Sequence, residues 1–191
     1  ILLVVIVGPM SIASQGLKNA YLAGDQTTAV YLAQESLEHI IRLRDNVALE
    51  NYEDFKSDGN VSDGDGDTGE WYGDLPAACR GASGCDYDTV EDEYENCGPT
   101  DACTLSHYIG DPGAAPAHLY AYVSPADDDW EESPYTRVIT IGAPVEGSGT
   151  RLGGVPVTVT VSWDASRAFG AGTTKTVTLQ TYIYDHYTRF E

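Results

Sequence analysis

Hydrophobic positions fall into distinct regimes along the chain. Residues 1–7, ILLVVIV, are an unbroken aliphatic run that ends at Gly8-Pro9. From residue 10 to about 55, apolar or small residues recur at helical spacing at Leu17, Tyr21, Gly24, Val30, Ala33, Leu37, Ile40 and Ile41, with Glu35, Glu38, Arg42 and Asp45 on the other side. This predicts one long helix, with Glu38 and Arg42 as a favourable i, i+4 pair. Residues 56–118 lose the periodicity and fill with Gly, Asp and Pro, predicting an irregular region. Period-2 alternation then takes over in HLYAYVS, YTRVITIGA, VPVTVTVSWD and KTVTLQTYIYD, separated by turn-forming residues. Val157, Val159, Val161 and Trp163 would share one face of their strand, and Val177, Leu179 and Thr181 one face of the next.

The expected fold class is α+β: a long N-terminal helix packed on a four-stranded antiparallel sheet with one face covered. Only the second half of the helix, AVYLAQESLEHIIRLRD, carries a stripe that matches the sheet's apolar face. The first half, SIASQGLKNAYLAGDQTTA, is rich in small residues that let helix backbones approach closely. Residues 1–24 are therefore expected to project, and 25–191 to form a head in which 119–191 supply the sheet and 56–118 an acidic loop region. Pro9 has no N–H and its ring opposes the carbonyl of Val5, so the helix is expected to break near Gly8 and Pro9.

Charge removes one class of partner. Thirty Asp and Glu against ten Lys and Arg give a net charge of −20 over 191 residues, which argues against a nucleic-acid-binding surface. The surface is expected to be solvated and self-repelling. The four cysteines, Cys79, Cys85, Cys97 and Cys103, are clustered and even in number. They read as disulfides formed in an oxidising compartment, because neither x5 spacing suits a structural zinc site. Three pairings are open; the local ones, Cys79 with Cys85 and Cys97 with Cys103, are favoured because RGASG and GPTDA can turn back.

The order of these features, with particular residues, resembles the type IV pilins and pilin-like proteins of bacteria. ILLVVIVGP is similar to the downstream part of the pilin N-terminal segment, AVYLAQESLEHIIRLRDN to an AxxLAQEGLExxRxxRD pattern in one group of pilin-like proteins, and YTRVITI, VTVTVSW and TKTVTLQTYIYD to the sheet of that group. The Phe-Thr-Leu-Ile-Glu type start of the family does not occur, so the aliphatic run is read as the remainder of a longer apolar segment. The resemblance implies a structural subunit of a surface filament serving adhesion, twitching motility or uptake. It implies an extracellular filament whose subunits sit in the cytoplasmic membrane before assembly, with further copies of the chain and the pilus assembly machinery as partners. Ile1, Leu2, Leu3, Val4, Val5, Ile6, Val7, Ile12, Leu17 and Tyr21 would pack in the membrane and then in the filament core. Two alternatives are a membrane-anchored, calcium-dependent adhesin that never polymerises and a minor pseudopilin of a secretion apparatus.

Candidate chemistry is sparse. In DGDGDTGEWYGD, Asp63, Asp65, Asp67 and Asp74 occupy positions 1, 3, 5 and 12 of a calcium-loop pattern, with Thr68 where the turn glycine belongs. Calcium competes here with a merely solvated acidic loop, and no cofactor is required. Asn60 lies in an N-x-S glycosylation sequon. His39, His107, His118 and His186 are scattered without ligand spacing and are expected to be surface or structural residues. No GxSxG, Walker loop or GxGxxG occurs, and the chain is not expected to be an enzyme.

Overall fold

In a computed structural model of the chain, residues 2–58, 72–73, 75–88, 91–98, 103–110, 120–123, 129–145, 154–165 and 172–184 are described, the helix side chains from Met10 to Val47 and at Leu49. The element order is one helix, α1 (Leu2–Asp58), a 3-10 turn (Ala77–Arg80), and β1 (Cys85–Asp88), β2 (Glu93–Asn96), β3 (Thr104–Tyr108), β4 (Tyr120–Ala121), β5 (Trp130–Ile141), β6 (Val155–Asp164) and β7 (Thr174–Ile183). The α+β class and the long N-terminal helix are as expected. Two expectations need correction. Helical structure runs without interruption through Gly8 and Pro9, so no break occurs there. Proline at one position removes a single backbone hydrogen bond, and the bonds of the residues on both sides keep the rest of the ladder.

Among the described residues the sheet has seven strands, not four. Three of them, β1, β2 and β3, lie in the region expected to be irregular. Their sequences CDYD, EYEN and TLSHY are short and partly acidic, with little apolar alternation, and pairing rather than propensity holds them in place. β5 is the centre. Its second half pairs β6 from Tyr135↔Trp163 to Ile141↔Val157, and β6 pairs β7 along its whole length. The other edge of β5 is shared: β3 takes the first half, and β1 joins at Cys85↔Ile139. The short β4 pairs β3 rather than β5, so the expected simple meander is only the β5-β6-β7 part.

The alternation in β6 is realised: Val157, Val159 and Val161 are fully buried and Trp163 nearly so, with Thr158, Thr160 and Ser162 half-buried on the other face. In β7, Val177, Leu179 and Thr181 are half-buried while Thr178, Gln180 and Tyr182 are exposed. Against this inner face α1 lays Ala29, Leu32, Ala33, Ser36 and Ile40. The buried stripe is rotated slightly from the expected one: Ala29, Leu32 and Ser36 enter it, and Val30, Leu37 and Ile41 flank it half-buried. Small residues at three of its positions let the helix approach the sheet closely. The buried Ser36 hydroxyl donates to the Leu32 carbonyl at 3.4 Å, one turn back, and so needs no partner from the sheet.

Both favoured disulfides are present, Cys79–Cys85 and Cys97–Cys103. Each closes a short loop, one tying the 3-10 turn to the start of β1, the other tying the end of β2 to the start of β3. On a loop-entropy basis each contributes about 2 kcal/mol. Between the first pair of cysteines, Gly84 is buried at φ +69°, and an added Cβ would lie 2.4 Å from Val138 Cγ1 and 2.7 Å from the Ile139 carbonyl oxygen. Gly84→Ala is expected to cost about 2–4 kcal/mol, from left-handed strain plus displacement of β5 backbone. Guanidinium-induced unfolding of the oxidised protein checks this, and a loss below 1 kcal/mol contradicts it.

Candidate assembly surface and groove

The two halves of α1 differ in burial. From Met10 through Tyr21 every residue is exposed, and the large apolar side chains stand clear, Met10 at 69%, Ile12 at 73%, Leu17 at 57% and Tyr21 at 55% exposure. Among the described helix side chains, the first fully buried one is Ala29. Asp25 marks the junction, its carboxylate accepting a hydrogen bond from the Tyr135 hydroxyl at 3.4 Å. Burial and the neighbouring Asp25 push the Tyr135 hydroxyl up to about 12, so it remains a donor throughout the ordinary pH range. Gly16 and Gly24, on this projecting stretch, have no neighbouring heavy atom within 4 Å of an added Cβ. Such backbone can be approached by another helix. Among the described residues no helix is long and apolar enough to cross a membrane.

The docked half of the helix is fastened by charge as well as by packing. Arg137 lies on the inner face of β5, in alternation with Tyr135, Ile139 and Ile141. Its Nε donates to Asp86 Oδ1 at 2.9 Å and Oδ2 at 3.1 Å, and its Nη1 lies 3.4 Å from Glu35 Oε2 on α1. Asp86 is fully buried, and its Oδ1 also accepts the Tyr87 N–H at 2.9 Å. Burial pushes the Asp86 carboxyl up to about 6, against the opposing pull of the Arg137 guanidinium. One buried cation thus links the helix, the central strand and β1.

Beside this link an open groove of about 690 Å³ runs between α1, the 3-10 turn and the β1–β2 hairpin. His39 Nδ1 and the Tyr94 hydroxyl are 2.6 Å apart, and the His39 ring lies 3.9 Å from that of Tyr87, which is 5.1 Å from Tyr94. The Tyr87 hydroxyl donates to Asp92, which holds the hairpin tip at φ +60°. Burial, helped by Arg42, lowers His39 below its ordinary range; burial and Asp92 raise Tyr87 to about 12, and burial raises Tyr94 further. The groove's rim is held by the Cys79–Cys85 disulfide and by Arg80, which donates to the carbonyls of Tyr72, Gly73 and Leu75 and lies 4.4 Å over the Tyr72 ring.

Of the residues singled out in the sequence, Ile12, Leu17 and Tyr21 are each exposed on the first half of the helix, and the four cysteines form two staples. Leu2, Leu3, Val4, Val5, Ile6 and Val7 lie on the same helix, whose side chains there are not described; Ile1 is outside the described residues. The possible calcium ligands Asp63, Asp65, Asp67 and Asp74 and the sequon Asn60 also lie outside them. Among the described residues no group of three or more His, Cys, Asp or Glu is placed to hold a metal. The expected Glu38–Arg42 pair does not form; Arg42 lines the groove instead. His107 Nε2 lies 3.7 Å from Glu131 across β3 and β5, whereas His39 is built into the aromatic cluster that the sequence reading missed. The Arg137 link had a visible signal, an arginine at a core-facing position of an alternating strand; the groove, joining residues far apart in sequence, had none. Compared with protein-family models, curated proteins and solved structures, the chain matches none.

Proposed function

We propose that the chain is a structural subunit of a type IV pilin-like surface filament, assembled through the projecting half of α1. The observation that carries this reading is the helix divided between a half docked on the sheet and a half whose apolar side chains are exposed. Leaving Ile12, Leu17 and Tyr21 in water is unfavourable, by up to about 1.5–3 kcal/mol per fully buried side chain, and packing against copies of the same helix recovers it. A homopolymer suits such a half-helix because each subunit offers its neighbours the same apolar side chains on more than one side, and a head-to-tail contact that does not close generates a helix. The two disulfides accord with an oxidising location, and the heads carrying them would face outward. Before assembly the apolar N-terminal run would hold the subunit at the cytoplasmic membrane, from which the assembly machinery extracts it.

Filaments sheared from cells that produce the protein provide the test. A helical reconstruction is expected to show this chain at every position, with residues 2–24 in the shaft and the sheet outside. Finding the protein only as a dispersed, membrane-bound monomer, or only at filament tips, overturns the reading.

A further inference from the structure

We infer that the groove between α1 and the β1–β2 hairpin binds a neutral saccharide. The inference does not depend on filament assembly, because every residue it uses belongs to one chain. Its volume of about 690 Å³ lies within the range of small-molecule sites, about 300–1,000 Å³. The walls offer two kinds of surface. Tyr87 and Tyr94 bring ring carbon, suited to the C–H face of a pyranose. Arg42 and Asn46 bring exposed planar donors from α1, one helical turn apart, and Asp92 and Glu93 bring acceptors from the hairpin opposite. An occupant that satisfies both walls needs hydroxyls that donate as well as accept, beside an apolar face.

Charge narrows the class. An anion would meet Arg42, yet also Asp92, Glu93 and a chain of net charge −20. A cation would meet those carboxylates, yet also the Arg42 guanidinium on the facing wall. A purely apolar ligand would strip water from four ionic or amide side chains without replacing their hydrogen bonds. A neutral polyol ring incurs none of these penalties. The aromatic wall is also set in advance, by the His39–Tyr94 hydrogen bond, the Tyr87–Asp92 hydrogen bond and the Cys79–Cys85 disulfide, so binding need not order it.

Saturation-transfer NMR on the full chain, with the methyl glycosides of glucose, galactose and mannose and with N-acetylglucosamine as probes, tests the assignment. Transfer to at least one probe is expected. The double variant Arg42→Ala/Asn46→Ala removes two exposed side chains, is expected to keep the fold intact by circular dichroism, and is expected to weaken binding about tenfold or more. Arg42→Gln, which keeps two planar N–H donors, is expected to retain more affinity than Arg42→Ala. No transfer to any of the four probes overturns the inference, as does equal transfer with the double variant. Transfer only to glucuronate or only to choline, the anionic and cationic controls, also overturns it.

Discussion

Arg137→Met is expected to lower the unfolding free energy by about 3–5 kcal/mol at pH 8 and by clearly less at pH 5. The side chain of Arg137 is 4% exposed and that of Asp86 not at all, so methionine replaces its length but leaves a carboxylate in the interior with no counter-charge. The residual Tyr87 N–H bond to Asp86 cannot offset that desolvation. The pH dependence follows from the carboxyl itself. In the folded protein Asp86 is pushed up to about 6 from its ordinary 3.8, so the folded state holds the proton more tightly than the unfolded chain does. This contribution to stability is complete below about pH 4 and is lost as pH rises through about 6, an amount on the order of 3 kcal/mol across that window. Without the guanidinium the carboxyl titrates higher still. The variant then escapes most of its penalty at pH 5 by staying protonated, and bears it at pH 8. Asp86→Leu combined with Arg137→Met removes both charges and is expected to recover most of the loss, since a buried pair exchanged for apolar side chains is often neutral. Guanidinium unfolding curves of the three proteins at pH 5 and pH 8 provide the check. A loss from Arg137→Met that is equal at the two pH values would show that Asp86 is not the group left unpaired.

The link also shows where the sequence was legible and where it was not. Strong period-2 runs such as VPVTVTVSW declare themselves because each residue's environment is set by its own strand's alternation, and Val157 through Trp163 lie buried as that pattern requires. The long helix is legible for the same reason. The strands β1 and β2 are not, because CDYD is held by partners far away, Cys85 by Ile139 and Asp86 by Arg137, and EYEN is held in the sheet only by its pairing with CDYD. A buried aspartate in an acidic loop looks like any other acidic loop residue until its arginine is placed beside it. Ser36, Ala29 and Leu32 shifted the helix stripe because small residues tune how near the helix comes to the sheet, which periodicity alone does not weigh. The candidate groove was hidden more deeply still. His39 and Tyr94 meet across 55 residues, and no local pattern marks either of them.

If assembly proceeds through the projecting half-helix, Leu17→Glu is expected to abolish filaments while leaving the head as stable as before. Leu17 is 57% exposed and touches no part of the core, and glutamate is nearly as good a helix former as leucine, so the isolated subunit should change by less than about 0.5 kcal/mol. In a shaft of packed helices the same position is buried against neighbours, and a carboxylate there must be neutralised or left without solvent, at a cost of several kcal/mol per subunit. Every subunit along the shaft bears this cost, so a modest local penalty becomes a complete loss of polymer. Ile12→Glu, at a site 73% exposed, is expected to act in the same way. Gln180→Glu adds an identical charge to the exposed face of β7 and is expected to leave assembly intact, which separates helix packing from a general effect of raising a charge already at −20. Negative-stain micrographs of sheared cell surfaces score the polymer, and thermal melts of the purified subunits score the head. Filaments of normal length and number from Leu17→Glu would place the assembly contact elsewhere than on this face of α1. Loss of filaments accompanied by a melt lowered by many degrees would instead mean that Leu17 supports the head, contrary to its exposure.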